Sequence, residues 1–139
     1  MKKTVDKTGD LQCADSPQGT LTIQTLAMPA DTNVHGDIFG GWLVSQMDLA
    51  AGVLAKQICK GRAVTVAINS MVFHHPVHVG DIVSCHACLI KQGNTSMTIQ
   101  VEVWTNVQDP GRELKVTEGT FVFVAVDNNG RPRPVSFAS

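Results

Sequence analysis

Gly36–Ala55 reads GDIFGGWLVSQMDLAAGVLA, and its pattern governs how the rest of the chain must be arranged. Gly40 and Gly41 close a run of turn-forming residues that begins at Ala30. From Trp42 to Ile58 the apolar residues fall at helical spacing. Trp42, Leu43, Met47, Leu49, Ala50, Val53, Leu54 and Ile58 cover more than one face, so the spacing predicts a helix buried over most of its circumference. Lys60 and Gly61 supply a basic last turn and a C-terminal glycine. Between Gly40 and Ala55 a single charge interrupts the pattern, Asp48.

A helix of this kind needs a sheet that wraps it. Segments 63–73, 81–91, 95–107 and 114–127 are long and rich in β-branched residues, and 21–28 reads as a further strand upstream, stopped by Pro29. Met97, Ile99, Val101 and Val103 alternate with Thr98, Gln100, Glu102 and Trp104, the mark of a half-buried antiparallel strand. Gln92-Gly93-Asn94 and Asp109-Pro110-Gly111 are turns between strands, and Asn128-Asn129-Gly130 ends the last one. The expected fold class is therefore α+β: one long central helix wrapped by a five-stranded antiparallel sheet. Its size of 139 residues suits one domain, placed at residues 20–133 between polar tails at 1–19 and 134–139. An open sheet of five strands leaves edges that a second copy would cover, so a homo-oligomer is expected.

Composition narrows the partners. Eleven Lys and Arg against twelve Asp and Glu give a net charge of −1, which excludes the concentrated basic field that nucleic acid or an anionic membrane requires. No window has the length of a membrane span, and no apolar segment follows the basic N-terminal residues. Four scattered cysteines, at 13, 59, 85 and 88, fit reduced thiols and a cytoplasmic location.

Asp48 leaves two readings open. Either it lies on one wet stripe of the helix, held by a structural hydrogen bond, or it is a catalytic carboxylate whose burial serves chemistry. Gly41 precedes it by seven residues, so the two share a helical face roughly 10 Å apart at about 1.5 Å per residue. That face would present the free N–H groups of a helix N-terminus, made accessible by Gly40 and Gly41, and two turns further in the carboxylate. Such donors can hold a developing oxyanion while a carboxylate or its water faces the carbonyl carbon, a layout for acyl transfer. Upstream, Asn33 is either a substrate-bonding amide or a turn-forming Asx residue, and His35 and Asp37 belong to the same polar cluster. Cys85 and Cys88 lie three apart on a strand and should point to opposite faces, so no metal site is expected there. His74, His75 and His78 lack an acidic partner at helical spacing, and no G-x-S-x-G marks a serine nucleophile.

LAMPADTNVHGDIFGGWLVSQMD (26–48) resembles the signature of the hotdog-fold acyl-CoA thioesterases, in particular the small, broad-specificity bacterial YciA type. The N-x-x-G-x-[IL]-F-G-G pattern falls on Asn33, Gly36, Ile38, Phe39, Gly40 and Gly41, with Asp48 at the family's spacing. Further resemblance lies at 65–73, Pro76, 79–81, 95–97, 101–104 and 123–131. The resemblance implies a hotdog fold and hydrolysis of acyl-CoA thioesters to a free fatty or other carboxylic acid and CoA. It implies a dimer at least, assembling further as a trimer of dimers, with active sites between protomers. Asp48 would be general base or nucleophile, Asn33 from the partner would position thioester or water, and the N–H at Gly41 would polarise the carbonyl. Gly40, Arg62, Thr95, Ser96 and Arg131 would contact CoA, which is substrate and product; no cofactor and no metal are implied. One departure is Asn94, where many relatives carry Arg or Lys. Two other functions compete: a non-catalytic acyl-CoA sensor, against which Asp48 argues, and a hydroxyacyl-thioester dehydratase, for which His35 would be needed.

Overall fold

The computed structural model describes residues 17–106 and 113–136. Strand β1 (Thr20–Leu26) leads through a short 3-10 turn (Pro29–Asp31) to helix α1 (Gly40–Cys59), followed by β2 (Ala63–Phe73), β3 (Ile82–Gln92), β4 (Ser96–Asn106) and β5 (Glu113–Ala125). All pairings are antiparallel, in the order β1-β3-β4-β5-β2. Strands β3, β4 and β5 form a meander. The chain enters at one edge as β1, crosses the sheet as α1, and resumes at the other edge as β2. The helix lies on one face and touches every strand, which is the hotdog arrangement. No helix among the described residues is long and apolar enough to cross a membrane. The turn expected at Asp109-Pro110-Gly111 lies outside the described residues, as do the first sixteen residues and the last three.

Helix α1 starts two residues earlier than its apolar pattern suggests, because both glycines belong to its first turn. Glycine weakens a helix interior, but first-turn N–H groups have no intrahelical acceptor in any case, so little is lost there. Its far end is closed by Lys60 in the left-handed conformation (φ 55°). Arg133 completes that end: its guanidinium donates to the carbonyls of Cys59 (2.9 Å), Val126 (3.2 Å) and Pro134 (2.9 Å). An arginine in a polar C-terminal stretch thus serves as a helix C-cap, where a cation also suits the negative end of the helix dipole. Beyond it Val135 is buried in the core, and its N–H donates to Asn94 O at 2.8 Å.

The core forms between the helix and the inner sheet face. Leu43, Met47, Ala50, Ala51, Ala55 and Cys59 are buried, against Met97, Ile99, Val101, Val103, Phe121 and Phe123. Three alanines on one arc let the helix lie close to the sheet. Gly119 on β5 leaves room for the Met71 side chain of β2, from which a Cβ there would sit 2.8 Å. All-round burial of the helix, expected from its apolar pattern, is not realised within one chain: Leu49 is 57% and Val53 39% exposed. The sheet covers only one side of α1 and leaves an apolar arc open. Edge strand β2 is similarly bare, with Val64, Val66 and Ile68 exposed while Ala63, Thr65 and Ala67 are half-buried on the helix side.

Candidate active site

At the N-terminus of α1, residue Phe39 occupies the cap position without a side-chain hydrogen bond. Trp42 N–H bonds back to Phe39 O at 3.1 Å, whereas the N–H groups of Gly40 and Gly41 have no acceptor among the described residues. They face outward at the positive end of a helix of twenty residues. Phe73 packs over Gly40, where an added Cβ would stand 3.3 Å from its ring. Beside these donors lies a cavity of about 360 Å³ walled mainly by Ile38, Leu43, Phe73, Pro76 and Val77, with His74 and His75 at its rim.

Asp48 lies at the boundary between the buried and open arcs of α1 and is half-buried. Thr65, in β2, donates its hydroxyl to Asp48 Oδ1 at 2.6 Å. The second carboxylate oxygen has no hydrogen bond among the described residues. At about 100° per residue Gly41 and Asp48 lie within roughly 20° of each other around the helix. The carboxylate is therefore oriented by one hydroxyl, on a helical face it shares with Gly41. The structural hydrogen bond of the first reading is present, and the second oxygen has no protein partner among the described residues.

Thr65 was not singled out by the sequence, yet it touches the site. A signal existed: on β2 the half-buried positions read Ala63, Thr65, Ala67, a lone hydroxyl among alanines opposite a helix with one carboxylate.

Asn33 forms the Asx turn that its residue type suggests. Its Oδ1 accepts from His35 N (2.9 Å) and Asp37 N (3.1 Å), and its backbone N–H donates to Asp37 O (2.7 Å). These bonds hold the amide plane, so the Nδ2 donors, exposed in the single chain, are pre-oriented. Asn33 does not touch Asp48 of its own chain in any hydrogen bond. His35 is exposed in the same loop.

The remaining candidates gather elsewhere. Ala125 N donates to Thr95 O (2.9 Å) and Val126 N to Arg62 O (3.0 Å), which brings Thr95, Ser96 and Arg62 to the end of the sheet where α1 finishes. Arg131 sits in the adjoining turn, its N–H on Asp127 Oδ1 at 2.9 Å and its side chain exposed. Arg62, immediately before β2, precedes Thr65 by three residues, roughly 10 Å at about 3.3 Å per residue. Cys85 points into the core while Cys88 is half-exposed on the other face, so the two thiols diverge. Burial pushes the Cys85 thiol up to about 12, far from the thiolate a nucleophile requires. Among the described residues no cluster of His, Cys, Asp or Glu could hold a metal ion.

Comparison with known proteins identifies the family of this fold. Residues 35–110 match the thioesterase superfamily. The acyl-CoA thioester hydrolase YciA of Salmonella typhimurium is 53% identical over 124 residues, covering 87% of this chain and 93% of that one. Among solved structures, a hexameric thioesterase from Yersinia pestis aligns with TM-score 0.83 at 50% identity, over 88% of this chain and all of the other. A hexameric hotdog-fold thioesterase of Campylobacter jejuni aligns with TM-score 0.79 at 38% identity, over 85% of this chain and 91% of its own.

Proposed function

The chain belongs to the thioesterase superfamily, and from that premise we propose that it hydrolyses acyl-CoA thioesters to the carboxylic acid and CoA. The observation that carries this reading is a carboxylate fixed at 2.6 Å by Thr65 and sharing its helical face with uncapped N–H donors. The thioester carbonyl oxygen accepts from Gly41 N–H, with Gly40 allowing close approach, and the acyl group enters the apolar cavity beside them. With Asp48 as general base, a water loses a proton to the free carboxylate oxygen and its oxygen bonds to the carbonyl carbon. Negative charge moves onto the carbonyl oxygen, where the helix-end donors hold it. Collapse breaks the C–S bond, and the proton on Asp48 passes to the sulfur. With Asp48 as nucleophile, its oxygen bonds to the carbonyl carbon, the C–S bond breaks to release CoA as the thiolate, and water then hydrolyses the mixed anhydride to the carboxylic acid and free Asp48, yielding the proton that the thiolate takes up.

Asn33 completes the site from a partner protomer. Its exposed Nδ2 and its lack of a bond to Asp48 in its own chain favour that assignment. The bare apolar edge of β2 is the surface that joins two copies, and the hexameric relatives support assembly of three such dimers. Arg62, Thr95, Ser96 and Arg131 contact the CoA portion at the far end of the sheet; Asn94 supplies no charge there. A cytoplasmic setting fits the free cysteines 59, 85 and 88.

A thiol-release assay on acyl-CoAs of graded chain length tests this. The wild type should release CoA, and Asp48→Asn should lose at least about a hundredfold in kcat. Equal rates would overturn the role of Asp48, and tight binding without release would favour a sensor. Mixing inactive Asn33→Ala and Asp48→Ala chains should restore activity in hybrid dimers. Label from ¹⁸O-water found in Asp48 after a single turnover would select direct attack over general base.

A further inference from the structure

The cavity of about 360 Å³ beside the helix-end donors is walled by Phe73 from β2 and by Leu43 from α1. Both elements carry a methionine next to that wall. Met71 lies two residues from Phe73, on the same side of its strand, and Met47 lies one turn beyond Leu43 on the buried arc of the helix. The two converge on Gly119 of β5, where an added Cβ would stand 2.8 Å from Met71 Sδ and Cε and 3.5 Å from Met47 Cε. Gly119 therefore leaves a notch in the inner sheet face, one side chain behind the cavity, and thioethers fill it. From Leu43 to Met47 the helix rises roughly 6 Å at about 1.5 Å per residue, which is the depth the notch would add.

A local irregularity puts Met71 there. The register of β2 on β5 shifts between Asn69 and Val72, after which Phe73 faces Thr117 and Met71 reaches Gly119. Within the shift Ser70 holds the left-handed conformation (φ 55°), a strain that a non-glycine residue keeps only where its surroundings impose it. Such bulges re-aim side chains beside active sites. The two methionines are not equivalent. Met47 is wholly buried, whereas Met71 is half-buried on an edge strand and has room to turn. Methionine is unbranched with three rotatable bonds, so it packs a gap and leaves it through side-chain rotation alone. A β-branched side chain, stiff at its first torsion, lacks that freedom.

We propose that Met71 is the movable end wall of the acyl site and sets its chain-length preference. At rest it fills the Gly119 notch and bounds the site for short acyl groups. A longer chain displaces it and lies in the notch against Met47, burying its terminal methylenes at the cost of the Met71 contacts. The proposal rests on the hydrolase reading above and deepens it, by naming the residue that decides which acyl lengths the cavity accepts.

Two substitutions act on the notch in opposite directions. Met71→Ala removes the wall, and Gly119→Ala puts a methyl group in the notch, where the flexible end of Met71 gives way to it. The quantity to read is the ratio of kcat/KM on decanoyl-CoA to that on butyryl-CoA. Met71→Ala should raise this ratio about tenfold over wild type, and Gly119→Ala should lower it by a similar factor, the scale on which a few methylenes are discriminated in an apolar pocket. The same proteins are titrated calorimetrically with the non-hydrolysable thioethers S-decyl-CoA and S-butyl-CoA, whose affinity ratio should move the same way. A ratio unchanged in both variants, or moved in the same direction by both, would overturn the proposal. Should one variant fail to fold, the other decides alone by the sign of its shift. If wild type releases thiol from neither substrate the hydrolase reading falls, and the thioether titrations still decide whether Met71 bounds an acyl site.

Discussion

Asp48 owes its geometry to Thr65. Without the 2.6 Å hydrogen bond the carboxylate is free to rotate about its side-chain bonds. Thr65→Val keeps the β-branched shape and removes only the hydroxyl. The expected outcome is a fall in kcat of about tenfold, with Thr65→Ser retaining most activity, both read by steady-state thiol release. A second residue-scale prediction concerns Glu118, on the outer side of the sheet. Burial raises its carboxyl, but the hydrogen bond from His74 at 2.8 Å and the nearby Lys115 outweigh that and hold it below its ordinary value of 4.5. A depressed carboxylate contributes stability that is fully present above its unfolded value and is lost as pH falls through the folded one. Glu118→Gln should therefore melt earlier than wild type at neutral pH, and the two midpoints should converge under acid. A gap that persists unchanged to low pH would count against the pairing.

At the scale of elements, α1 shows how local and distant causes divide. Its start and its apolar register follow from Gly40, Gly41 and the 3.6-residue repeat. Its end depends on Arg133, which lies 74 residues beyond Cys59 in the chain. Arg133→Ala frees three backbone carbonyls at once. A loss of about 2 kcal/mol in urea unfolding is expected, since hydrogen bonds to charged groups contribute about 1.5–3 kcal/mol each and water replaces part of them. Activity at a temperature where the variant is folded should be nearly that of wild type. No local pattern marks this arginine as a cap, because only the return of the chain along β5 and its turn brings it to the helix end.

For the whole molecule the decisive surface is the one a single chain leaves uncovered. Val64, Val66 and Ile68 stand exposed along edge strand β2, and Leu49 and Val53 stand exposed on the helix. Introducing a charge there, as Val66→Lys with Ile68→Lys, should shift the protein toward monomers in sedimentation. If the site is shared as proposed, hydrolysis should fall with it; full activity in a monomeric variant would refute a shared site.

The order β, helix, four strands, the helical face joining Gly41 to Asp48, and the divergence of Cys85 and Cys88 were legible in residue spacing. Spacing encodes local geometry, and these features are local. Thr65 as the partner of Asp48, Arg133 as a cap, and the exposed arc of an apolar helix were not legible. Each depends on which strands lie side by side and how far one sheet reaches around one helix. By itself the sequence determined the elements, their apolar faces and the shared helical face of Gly41 and Asp48, because periodicity and glycine placement act within a few residues. Tertiary structure alone decided which side chain holds Asp48, which arginine caps α1, and which apolar surface one chain leaves uncovered. Those outcomes follow from contacts between residues far apart in the chain, for which no local pattern exists.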